Sequence, residues 1–254
     1  MNQKILKVTL HPMTLLVLLV VLWEMTSQLK LVNPMILPSA TQVGTVLGEL
    51  LPQPSVWAAI GITSWEIVAA FLIAVPLGLA IGAFLAESKY WGEVFKPFFY
   101  FLFSIPKSIF LPMFILAIGI GVTQKIAFGV FSTIFIVVIS MSAAVESVRG
   151  THILVAHCYG ASRWQIFKHV YLPSMLPSLL EALRLGMIFN FTGVILAEIY
   201  VSRVGFGNLI ATWGENFQIA QLLAGIIVLS AAAIGFNEAV RCIEKKYGNW
   251  RVGQ

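Results

Sequence analysis

Charge is what this chain has least of. Asp, Glu, Lys and Arg make up only 11% of its 254 residues, against about 25% in ordinary soluble domains. With 59% hydrophobic residues and a mean hydropathy of +0.90, this scarcity argues for a polytopic membrane protein. Cysteine is scarce too. Cys158 and Cys242 are far apart, have no metal-ligand spacing, and fall in segments placed on the cytoplasmic side, so no disulfide is expected. The four histidines, His11, His152, His157 and His169, form no HExxH motif, and there is no Gly-x-Ser-x-Gly. An intramembrane enzyme would therefore lack its clustered catalytic groups. No glycine-rich loop followed by Lys-Ser or Lys-Thr is present, so ATP would have to be handled by another chain. No metal site or cofactor is expected. No internal repeat supports a secondary transporter built from two halves. The net charge of +5 does not point to nucleic acid, because the bases are spread between apolar runs. The first apolar run is long enough to span and lacks a small-residue cleavage site, so no cleavable signal is read.

What is present is a series of six apolar segments. The first runs from Pro12 to about Leu31, with Glu24 near its outer end. Asn33 to Ser55 is broken by four prolines. Val43, Val46, Leu47, Leu50 and Leu51 recur there near helical spacing, which fits a short amphipathic surface helix or a packed loop. The second span covers Ala58 to about Glu87. Gly78 and Gly82 form a small-xxx-small pair in it, Pro76 can kink it, and Glu66 lies toward its outer part. Ser88 to Lys96 reads as a charged turn. Pro97 is placed to open the third span, which continues to about Ile118 through Pro106, Lys107 and Pro112. Lys125 to Ala144 is the fourth span and Leu179 to about Val201 the fifth, with Asn190 and Glu198. Ser202 to Asn216 is an outer connection and Phe217 to Val240 the sixth span. Of the 16 Lys and Arg, all but Lys30, Lys107, Lys125 and Arg203 fall at the termini or in and beside the even-numbered connections. Positive charge is retained inside, so both termini are expected to be cytoplasmic. Lys107, Asn190 and Glu198 are the candidate pathway or gate residues, since polar groups within spans are costly.

One connection is organised differently. Residues 146–178 carry charges, two prolines and two helix-start signals. Gly160 can close the helix suggested by THILVAHCY. Ser162 and Gln165 have capping-box spacing and can start a second short helix, with Trp164, Ile166, Phe167 and Val170 as its apolar surface. Pro173 is expected to end it, and Pro177 to start the next long helix. Two short helices joined by a tight turn would make a surface knob suited to a partner.

The same residues carry a family resemblance. Gly160 is followed after nine residues by Val170, Tyr171, Leu172 and Pro173. This is similar to the second half of the cytoplasmic-loop pattern of ABC-importer permeases, Glu-Ala-Ala, three residues, Gly, nine residues, Ile-x-Leu-Pro. Leu154, Val155 and Ala156 stand where the family has Glu-Ala-Ala, so the loop glutamate is missing. Gly160 to Arg163, Leu183 to Gly186, Ile105-Pro106-Lys107, Gly119 to Gly121, Gly193 to Glu198 and Gly205-Phe206-Gly207 resemble the nitrate/sulfonate/taurine branch. The resemblance covers most of the chain. It implies an all-α permease domain over residues 1–254, in the inner membrane, with six transmembrane helices and a cytoplasmic coupling-helix loop between helices 4 and 5. It implies that Gly160, Ala161, Ser162, Arg163, Trp164, Phe167, Leu172 and Pro173 serve ATPase coupling. The implied partners are two ATP-binding cassette ATPase subunits, a second permease copy, an extracytoplasmic solute-binding protein and the lipid bilayer. The solutes of that branch are nitrate, taurine and alkanesulfonates, while relatives with similar middle segments take pyrimidine-type vitamin precursors.

Overall fold

The computed structural model describes residues 12–247 except Pro34 and Arg149. Lys4, Lys7, His11, Arg149 and Arg251, and the side chains of Lys245 and Lys246, lie outside what is described. Every regular element among the described residues is helical. The order is α1 (Pro12–Gln28), α2 (Ala40–Leu50), α3 (Pro54–Glu87), α4 (Lys89–Ser104), a 3-10 turn (Lys107–Phe110), α5 (Leu111–Ile118), α6 (Val122–Glu146), α7 (Gly150–Cys158), α8 (Arg163–Ile166), a π turn (Phe167–Tyr171), α9 (Leu172–Val201), α10 (Phe206–Glu215) and α11 (Ile219–Tyr247).

α6 is the centre of the bundle, packed between α3 and α9. In its middle, Ser132 donates to the Phe128 carbonyl and Thr133 to the Gly129 carbonyl, while nearer its end Ser142 donates to the Gly82 carbonyl of α3. The expected small-residue contact is present. A Cβ at Gly82 would lie 2.6 Å from the Val138 carbonyl oxygen, and one at Gly78 would lie 2.7 Å from a Val137 methyl, so α3 meets α6 at backbone distance only because these side chains are absent. At one end of the bundle, Val43 and Leu50 of α2 pack with Val56, Phe206, Ile210 and Trp213, which resolves the 33–55 segment as a docked amphipathic helix.

Three sequence expectations are corrected. Ser88 to Lys96 is not a turn opened into a span by Pro97. α4 starts at Lys89 and passes through Pro97, whose missing N–H leaves only the carbonyl of exposed Glu93 unbonded. The break comes later, at Ile105–Pro106, where the pre-proline residue is extended (φ −77°, ψ 132°) and the chain bends by 92°. Pro173 does not end a helix and Pro177 does not begin one, because the chain is helical from Arg163 to Val201. A π turn carries it past Pro173. The Leu172 N–H bonds to the Phe167 carbonyl five residues back, and this widened turn relieves the clash that a proline ring makes with an α-helical carbonyl. Finally, the 202–216 connection contains α10.

Four helices are long and apolar enough to cross a membrane, or five if the bent pair α4/α5 is one span. α1 is a shorter apolar helix. The all-α polytopic architecture therefore stands, while six full-length spans are not all present by length and apolarity among the described residues.

Candidate functional site

Two polar features stand at opposite ends of the bundle, joined by α6 and α9. The first is the knob. Gly160 adopts φ +73°, a left-handed turn that closes α7 and that a side chain would disfavour. Ser162 then caps α8 reciprocally: its hydroxyl accepts from the Gln165 N–H at 3.3 Å, and Gln165 Oε1 accepts from the Ser162 N–H at 2.7 Å. Ile166 turns inward and is buried, while Trp164 and Phe167 remain 69% and 44% exposed. Their rings stack at 5.7 Å with planes 24° apart. Arg163, Lys168 and His169 are exposed around this pair, Leu172 is exposed beyond it, and Ala161 and Pro173 are half-buried. The result is an aromatic tip with a basic rim. Tyr159, 88% exposed before the turn, belongs to the same surface and was not singled out from the sequence.

The second feature is a buried charge cluster. Glu66 of α3 and Glu198 of α9 are 0% exposed and Lys125 of α6 is 2% exposed. Lys125 Nζ is ion-paired with Glu66 Oε1, lies 3.6 Å from Glu198 Oε1 and donates to the Val204 carbonyl at 3.4 Å, so two carboxylates and a carbonyl surround it. Thr63 Oγ1 lies 2.8 Å from both carboxylate oxygens of Glu198 and accepts the Phe206 N–H at 2.8 Å. Glu198 Oε2 also accepts the Gly207 N–H at 2.8 Å. α10 begins at Gly205 with no side-chain cap from its own segment. Two other helices supply that cap, and the carboxylate at its N-terminus also opposes the helix dipole favourably. The Gly205-Phe206-Gly207 motif follows from this approach. Gly205 adopts φ +108°, and a Cβ there would overlap the Glu198 carboxylate, while one at Gly207 would lie 2.6 Å from Glu198 Cβ.

The three pathway candidates are placed as follows. Glu198 is the cap just described. Asn190 is 0% exposed and donates to the Ile67 carbonyl at 2.7 Å, joining α9 to α3. Lys107 is half-buried at the α4/α5 break. It donates to the carbonyls of Leu102, Phe103 and Ile105 at 3.1, 2.6 and 2.9 Å, and lies 5.0 Å from the Phe103 ring centroid. It thus binds carbonyls at the end of α4, where a cation is favoured. These three residues do not come together. Thr63, Glu66 and Lys125 were missed as partners of Glu198. Their signal in the sequence is complementary charge: carboxylates inside apolar helices require a cation, and Lys125 is the base near the same end of a neighbouring span.

Comparison with known proteins places the whole chain. Residues 74–248 match the family model described as binding-protein-dependent transport system inner membrane component. The taurine transport system permease protein of Escherichia coli is 30% identical over 252 residues, covering 96% of this chain and 90% of the relative. The formylaminopyrimidine transport permease protein of Halalkalibacterium halodurans is 26% identical, covering 96% and 97%. The fold is that of a bacterial ABC transporter involved in the import of the acidic polysaccharide alginate, with a TM-score of 0.62 over 95% of this chain and 96% of that one at 15% identity. The chain belongs to the binding-protein-dependent transport system inner membrane components, the multi-pass permease subunits of ABC importers, whose ATPase and binding protein are separate partners.

Proposed function

We propose that this permease carries a small organic sulfonate, taurine being the test case. The observation that supports the solute class is the taurine permease relative, which is similar over nearly the whole chain. The knob, Gly160 to Pro173, is the docking element for two ATPase subunits and faces the cytoplasm together with both termini. Its exposed, stacked Trp164 and Phe167 are the apolar contact such a partner would bury, since aromatic side chains commonly dominate interface energy. Two copies of the chain related by a twofold axis enclose the pathway. The chain itself performs no chemistry and binds no nucleotide or nucleic acid.

A second reading has its own support. The formylaminopyrimidine permease relative covers the chain equally well, so a pyrimidine-type vitamin precursor is the competing solute. The experiment that separates them is ATP-dependent uptake into proteoliposomes holding the permease, its ATPase and its binding protein. The sulfonate reading expects taurine to accumulate and a formylaminopyrimidine not to. Uptake of the pyrimidine alone would reverse that assignment.

A further inference from the structure

We infer that Thr63, Glu66 and Lys125 position Glu198 so that it latches α10, and that the latch is mechanically joined to the knob. This rests on the importer reading only for the identity of what moves.

The division of contacts sets the latch apart from a fixed rivet. Every charge pair in the cluster lies among α3, α6 and α9. The polar contacts that hold the start of α10 are two neutral donors, the Phe206 N–H on Thr63 and the Gly207 N–H on Glu198, with the preceding Val204 carbonyl at 3.4 Å from Lys125, while its Phe206, Ile210 and Trp213 pack in the apolar core at that end. If the start of α10 moves away, Glu198 keeps the Thr63 hydroxyl and Lys125, and Lys125 keeps Glu66. No buried charge is left alone, so release avoids the large penalty of an unpaired ion. The charged part stays fixed, and the first turn of α10 is the part whose polar contacts can open.

The link to the knob is covalent. Glu198 and the exposed Trp164 lie on one helical run, Arg163 to Val201. At 1.5 Å per residue that run is roughly 58 Å long. Thr63 is on α3, outside that helical run. A push on Trp164 and Phe167 along the run therefore shifts Glu198 relative to Thr63, and the two bonds that hold α10 depend on both. This is a two-state element that both ends of the molecule can bias, as coupling requires.

The test uses the complex with its ATPase in nanodiscs and hydrogen exchange in the peptide covering residues 203–209. Thr63→Val should raise exchange there about tenfold, the factor expected from losing one hydrogen bond of ordinary net strength, and leave the α6 peptides unchanged. Thr63→Ser should stay within about twofold of wild type, because it keeps the hydroxyl. In proteoliposomes, Thr63→Val should hydrolyse several times more ATP per solute moved, an effect that a uniform loss of active protein does not produce. In the wild type, trapping the ATPase with ATP should also raise exchange at 203–209. Unchanged exchange in Thr63→Val, or a Thr63→Ser variant that behaves like valine, would overturn the latch. No response to ATP trapping would overturn its link to the knob. If all exchange results hold while no sulfonate is transported, the solute assignment fails and the latch stands.

Discussion

Lys125 is the residue on which the buried cluster turns. It is surrounded by two carboxylates, a carbonyl and almost no solvent. Burying such ions is costly, and the mutual attraction offsets that cost only while every partner is present. Replacing Lys125 by Met should leave Glu66 and Glu198 facing each other without a cation, and cost about 3–5 kcal/mol of stability. Glu66 then becomes the problem, because its Oε2 has no hydrogen-bond partner among the described residues. Glu198 is better placed, since Thr63 and Gly207 still bond it. Adding Glu66→Leu to Lys125→Met should therefore recover more than half of the loss. Thermal unfolding of the solubilised protein checks this. A double variant no more stable than the single one would mean that Lys125 serves Glu198 and not Glu66.

At the level of elements, the knob makes a separate prediction. Trp164 and Phe167 are exposed and contribute little to the fold, whereas Ile166 between them is buried. Trp164→Ala with Phe167→Ala should leave the protein inserted and as stable as wild type, yet reduce co-purification of the ATPase by at least tenfold, as loss of a central aromatic contact commonly does. Full capture and uptake by this variant would remove the docking assignment. Ser162→Ala should have a smaller effect, about 1 kcal/mol on the local helix. The knob was legible in the sequence because its signals are local: a glycine turn, a cap and a box within six residues, Gly160 to Gln165. The Gly78/Gly82 contact was legible for the same reason. The continuity of α9 was not. Pro173 and Pro177 read as boundaries, and a π turn leaves no residue signature of its own. The charge cluster was legible only in part. Glu198 stood out as a carboxylate in an apolar run, but its partners lie on α3 and α6, and pairing across helices is settled by packing that no local pattern records.

The whole molecule raises the question of sidedness. As described, α1 has 17 residues, about 25 Å of helix, against roughly 30 Å of hydrocarbon. The six crossings that would put both termini on one side thus depend on α1 crossing and on the bent α4/α5 pair counting as one. The second condition can be tested with cysteines. Cys158 on the knob and Cys242 in α11 are both exposed. α9 and α11 separate them by two crossings, so an impermeant thiol reagent should label both from the cytoplasmic side in inverted vesicles and neither in intact cells. In a background with Cys158→Ser and Cys242→Ser, Arg203→Cys and Met35→Cys should each be labelled from outside. Arg203 lies in the exposed loop before α10, and Met35, 81% exposed, lies between α1 and α2. Labelling of Met35→Cys from inside alone would mean that the bent α4/α5 pair does not cross, because only α3, α4/α5 and α6 separate Met35 from Cys158. Labelling of Arg203→Cys from inside, with Cys158 outside, would invert the molecule. The aromatic knob would then face away from any ATPase and the latched α10 toward it, against the retention of basic residues on the inner side.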